Sequence, residues 1–138
     1  MTVDGEHVNV VNGEAACEVD FLWPQKMDLS QTDKFDTPPR ARIKLVEYHL
    51  TALPEEKAAS QSFVTVIRPY RSGENPTSSV EAFETFESGF GLKLKTGNGE
   101  ATVLLQEAAG TEMSWGPVTT RSAIGALLQG DSSVTFER

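Results

Sequence analysis

Thr96-Gly97-Asn98-Gly99-Glu100 stands between two apolar-rich runs, and few pentapeptides restrict a chain more. Glycine and asparagine tolerate the positive φ that a tight hairpin turn demands. Phe90, Leu92 and Leu94 on one parity, with Gly91, Lys93 and Lys95 on the other, lead into the turn, and Ala101 to Glu107 leads out. A β-hairpin is predicted here.

The same logic recurs along the chain. Val8, Val10 and Val11 before Asn12-Gly13 read as an opening strand and a tight turn. The return strand follows from Ala15 to Trp23, where Ala15, Cys17, Val19, Phe21 and Trp23 share one parity and predict one buried face. Pro24 lacks the N–H that a sheet interior needs, so this strand should stop there or lie at an edge. Arg42 to Leu53 reads as a strand whose apolar parity shifts between Leu45 and Val46, as a β-bulge would produce. Ser62 to Tyr70 is nearly continuous in apolar character for its first six residues and predicts a central strand covered on both faces. Strands are also expected over Val80 to Glu87 and around Met113 to Trp115, Ser122 to Leu128 and Val134 to Glu137, with a turn at Gln129-Gly130-Asp131.

Two stretches interrupt this rhythm. Gln25 to Arg40 is polar apart from Met27, Leu29 and Phe35, and is expected to be a long connection that carries a partner contact or wanders loosely. Pro54 to Ala59 has room for one short helical turn. No amphipathic helix of three turns is present. About ten short strands parted by turn residues predict an all-β fold, an antiparallel two-layer β-sandwich in a single domain over residues 1–138.

Composition limits the function. The 138 residues hold 20 acidic and 12 basic side chains, a formal charge of −8, and phosphate-backbone binding needs a basic field. No nucleic-acid partner is expected. No run of 18 apolar residues occurs, so no membrane span is expected, and no charged-then-apolar leader marks a signal peptide. Cys17 is the single cysteine, which excludes an internal disulfide and a multi-cysteine zinc site, and its place in an apolar rhythm points to core packing.

Catalytic patterns are missing. His7 and His49 have no ligand spacing between them, and the acids mark no facing pair of the kind glycoside hydrolysis uses. No phosphate loop, dinucleotide fingerprint or nucleophile elbow occurs, and no catalytic residue, metal or cofactor is expected. Trp23, Tyr70 and Trp115 lie at strand ends beside Pro24, Pro69 and Gly116, where a ring is displayed to a sugar or packed into a core or interface. Arg40, Arg42, Lys44, Arg68 and Arg71 form a small basic patch if strands 42–53 and 62–70 pair, and are otherwise solvated rim charges. Trp23, Tyr70, Arg71 and Trp115 are the candidate carbohydrate or domain contacts.

The order of features resembles the C-terminal β-sandwich domain of heparinase II/III-like polysaccharide lyases. The matching stretches run from Val8 to Ala15, from Val19 to Pro24 and from Phe63 to Arg71, then Gly89 to Leu94 and Ala123 to Leu128. In that family the catalytic Tyr, His, Asn and Arg come mainly from a helical toroid and a central sandwich, and none has a matching motif here. The resemblance implies a non-catalytic accessory domain, the C-terminal fragment of a bacterial enzyme, secreted or periplasmic, that cleaves uronic-acid polysaccharides by β-elimination. Its partners would be the other domains of the same parent chain, with the Gln25 to Arg40 segment a candidate contact. The alternative is a self-standing carbohydrate-binding module that takes polysaccharide. A small independent enzyme is a weaker third reading, since fold alone does not name a function.

Overall fold

In the computed structural model, which describes residues 1–33, 48–130 and 133–138, every regular element is a β-strand. All strand pairs are antiparallel, so the all-β, sandwich-like class read from the sequence is the class observed. Thirteen strands are present among the described residues. The chain divides into two compact units, Met1–Glu74 and Asn75–Arg138.

In the first unit, β1 (Thr2–Asp4), β2 (His7–Asn12), β3 (Ala15–Trp23) and β6 (Val64–Arg71) form one sheet in that order. Asn12 pairs with Ala15, so the expected β2–β3 hairpin closes through Gly13-Glu14, with Gly13 at φ 61°. The strand stops at Trp23 as Pro24 requires. Its expected single buried face is not what is observed. Ala15 is exposed and Ala16 buried, and both parities beyond them are partly covered. The reason is chemical: the face carrying Glu18 and Asp20 is roofed by its own ion pairs, described below.

A second correction concerns β6. It lies at the edge of its sheet, paired only with β3, and alternates buried or partly buried with exposed side chains. Ile67 is 65% exposed, and Pro69 sits in this edge strand as its missing N–H favours. Apolar continuity was misleading because Thr65, Ile67 and Pro69 point to the less covered face. A register shift falls between Phe21 and Trp23.

The polar stretch after Pro24 also differs from expectation. Met27–Thr32 is strand β4, paired along its whole length with β5 (His49–Pro54). The short Met27, Leu29 alternation with Asp28 and Ser30 is a strand pattern too brief to stand out. No helical turn forms after Pro54; Glu55 N–H instead donates to the Lys26 carbonyl at 3.2 Å, extending the β4–β5 pairing by one bond. The supposed bulge at Leu45/Val46, residues 34–40 of the Gln25 to Arg40 segment, and Arg42 and Lys44 lie outside the described residues.

The second unit is a five-stranded sheet in the order β13-β12-β9-β8-β7, formed by β7 (Ser79–Phe86), β8 (Gly89–Thr96), β9 (Gly99–Gln106), β12 (Ile124–Gly130) and β13 (Val134–Glu137). The Thr96 to Glu100 hairpin is present as expected, with Thr96 paired to Gly99 and Gly97-Asn98 as the loop. Gly99 has φ 136°, and a Cβ there would overlap the Gln129 carbonyl oxygen. The turn expected at Gln129-Gly130-Asp131 extends beyond the described residues.

A two-stranded ribbon, β10 (Met113–Trp115) with β11 (Val118–Thr120), covers one face of this sheet. Leu104, Met113 and Val118 form its buried core, with Phe86, Trp115 and Leu127 packed against them. Gly91 makes room for the ribbon: a Cβ there would stand 2.7 Å from Trp115 Cε3. Gly125 does the same beneath Thr120, at 2.6 Å from its Cβ. The other face carries Phe83 and Phe90, stacked at 5.9 Å, and buried Leu92. The expected parity of Phe90, Leu92 and Leu94 therefore holds, yet Gly91 opposite them is buried too.

Candidate functional site: a hollow beside Trp23

The chain leaves β3 through a cis Trp23–Pro24 bond, and the next two residues, Gln25 and Lys26, turn it into β4. Lys26 holds φ 62°, a left-handed conformation uncommon outside glycine and asparagine. The strand paired with β4, β5, ends at Pro54 and runs into Glu55 and Glu56. Trp23, Pro24, Gln25 and Lys26, together with Pro54, Glu55, Glu56 and Gln61, line an open hollow of about 340 Å³. That size falls within the range of small-molecule sites, roughly 300–1,000 Å³.

The lining has two parts. Trp23, Pro24 and Pro54 are its apolar members, while Gln25, Gln61, Lys26, Glu55 and Glu56 are its polar and charged ones. Among the described residues, the side chains of Gln25, Lys26, Glu55 and Glu56 make no hydrogen bond or ion pair within the chain. Gln61 donates from Nε2 to the neighbouring Ser62 carbonyl at 3.3 Å.

A contrasting cluster sits on one face of the first sheet. Because His7 pairs with Asp20 and Glu18 with Arg68, the register places all four side chains on that face. Arg68 donates from Nε and Nη2 to Asp20 Oδ2, at 3.0 and 2.7 Å, and its Nη1 lies 2.8 Å from Glu18 Oε2. His7 Nδ1 lies 2.7 Å from Asp20 Oδ1. The Arg68 side chain is only 12% exposed, against 38% for His7. Next to them, Asn9 Nδ2 donates to the Tyr70 hydroxyl at 2.6 Å. This network was not foreseen. The available signal was Glu18 and Asp20 two residues apart on one parity, able to meet a lone arginine on a neighbouring strand.

Within the first unit, the candidate contacts Trp23, Tyr70 and Arg71 are not gathered into one site. Trp23 and Tyr70 lie toward opposite ends of the β3–β6 ladder, where Trp23 pairs with Val64 and Ala16 with Tyr70. Arg71 is exposed and borders a shallow depression with Glu14, Ala15, Ser72 and Glu74. Trp115 belongs to the second unit, lying over Gly91 with Phe86 edge-on at 6.2 Å and Lys93 Nζ 5.0 Å from its ring. Arg68 is neither part of a basic patch nor a rim charge, because β6 pairs with β3 and not with β5. His49 is exposed in β5, and Cys17 is a partly buried free thiol.

The titration of Glu137 is displaced. Its carboxyl is held below the usual glutamate value, chiefly by the Thr120 hydroxyl, which donates to it at 2.7 Å, and next by Ser122. No group of three or more His, Cys, Asp or Glu side chains able to hold a metal occurs among the described residues. No helix long and apolar enough to cross a membrane occurs among them. No family model, curated protein or solved structure matches this chain.

Proposed function

We propose that the chain is a non-catalytic accessory β domain of a carbohydrate-processing protein, of the kind the heparinase II/III-like resemblance implies. Its task would be to pack against other domains of its parent chain. One observation carries this reading. The interlocked ionisable cluster, His7, Glu18, Asp20 and Arg68, spends its charges on one another, which suits holding strands together better than chemistry on a substrate. Large apolar side chains are meanwhile left at the surface of the same unit, among them Val11, Leu53, Phe63 and Ile67. Such residues are the raw material of a docking face. By the same resemblance the parent would act outside the cytoplasm on uronic-acid polysaccharides.

The size of the native protein in its source tests the proposal, by immunoblot with an antibody raised against these residues. A band several times 15.0 kDa is expected. A band at 15.0 kDa would remove the accessory role.

A second reading, a carbohydrate-binding module, is favoured by the placement of Trp23 in a hollow with uncommitted polar side chains.

A further inference from the structure

We infer that the hollow beside Trp23 binds an uncharged sugar residue, and that it discriminates against uronates. The inference rests on the binding-module reading and names its ligand. An indole and two prolines beside the Gln25 amide and the Glu55 and Glu56 carboxylates are the chemistry that recognises a pyranose. Equatorial hydroxyls leave the ring a flat C–H face to lie on an aromatic side chain, while the hydroxyls at its rim both donate and accept. Gln25 and Gln61 carry amides that can do both, Glu55 and Glu56 accept, and Lys26 donates.

Charge decides between sugar classes. The lining holds one ammonium, Lys26, against two carboxylates, Glu55 and Glu56, within a chain of net charge −8. A uronate carboxylate would be brought up to two like charges with a single counter-charge to share, and it would meet an unfavourable field on approach. An uncharged hexose or pentose meets neither cost. The saturated sheet cluster offers no such place, because the two arginine-facing carboxylates there are already paired.

Calorimetric titration of the full chain with two sets of short oligosaccharides, β-linked glucose or xylose on one side and uronates on the other, tests the inference. Binding of the neutral set is expected at millimolar ligand, with no heat from the uronates. Trp23→Ala should weaken binding about tenfold or more, the scale of one lost aromatic contact. Gln61→Ala, which leaves the strand core untouched, should weaken it less; near-ultraviolet circular dichroism checks that both variants fold. Binding of uronates at a Trp23-dependent site would overturn the neutral-sugar assignment and leave the module reading standing. Neutral binding that both variants leave unchanged would move the site elsewhere and overturn the inference alone. Silence from both sets would sink the module reading together with the inference.

Discussion

The two units solve the problem of covering a sheet in different ways. In the second, a face of the five-stranded sheet is closed by an apolar ribbon, with Leu104, Met113 and Val118 buried and two glycines cut away to let the ribbon approach. In the first, a face of the four-stranded sheet carries charges that cover one another. Apolar closure gains free energy from every contact removed from water, whereas an ion-pair roof must first recover the cost of desolvating its charges. The second unit should therefore tolerate conditions that loosen the first.

Substitutions separate the two solutions, the largest effect being expected in the apolar one. Leu104→Ala removes a fully buried side chain at the centre of the ribbon core, and should destabilise the second unit by about 3 kcal/mol in denaturant unfolding. An effect below about 1 kcal/mol would mean that the core collapses freely around the gap. Arg68→Met keeps much of the side chain's apolar stem but leaves Glu18 and Asp20, side by side on β3, without the guanidinium they share, and should cost about 2 kcal/mol. Replacing Glu18 and Asp20 by Gln and Asn in the same variant should restore much of that loss. If it does not, Arg68 acts through packing and not through charge.

Lys93→Met removes the cation from above Trp115, and is expected to cost only about 0.5 kcal/mol, measured as a shift in the denaturant midpoint. The smallest effect is that of pH on Glu137. Its carboxyl is depressed in the folded state, so its contribution is present above the ordinary glutamate range and is lost as pH falls through the lower folded value. Thr120→Val takes away the principal hydrogen bond. The titration midpoint of Glu137, followed by NMR, should then rise toward the ordinary value; an unmoved midpoint would shift the cause to Ser122.

Much of the fold was legible because turn chemistry is local. Asn12-Gly13 and Gly97-Asn98-Gly99 announced their hairpins, and Pro24 announced the end of β3. Three strands escaped: β1 and β11 are three residues long, too short to show a period, and β4 reads as loop because only Met27 and Leu29 alternate. What the parity of β6 could not disclose was its partner. Whether Arg68 sits on a solvent rim or between two carboxylates depends on pairing with β3 and not β5, a long-range choice without a local signal. The hollow was half visible. Trp23 stood out by type, but Glu55, Glu56 and Gln61 come to it only because β4 and β5 pair.

That pairing has a further consequence for how the chain finds its shape. In the second unit β7, β8 and β9 follow one another through short turns, so each strand meets its neighbour almost as soon as it exists. In the first, β3 waits for β6 while the whole β4–β5 excursion passes between them, and Trp23 must find Val64 across that gap. The entropy of closing that long loop is offset by the whole β3–β6 ladder, to which the Arg68 ion pairs across the two strands add. Arg68 is thus a latch as well as a roof: its reward arrives only when the most distant ladder in the sheet has shut.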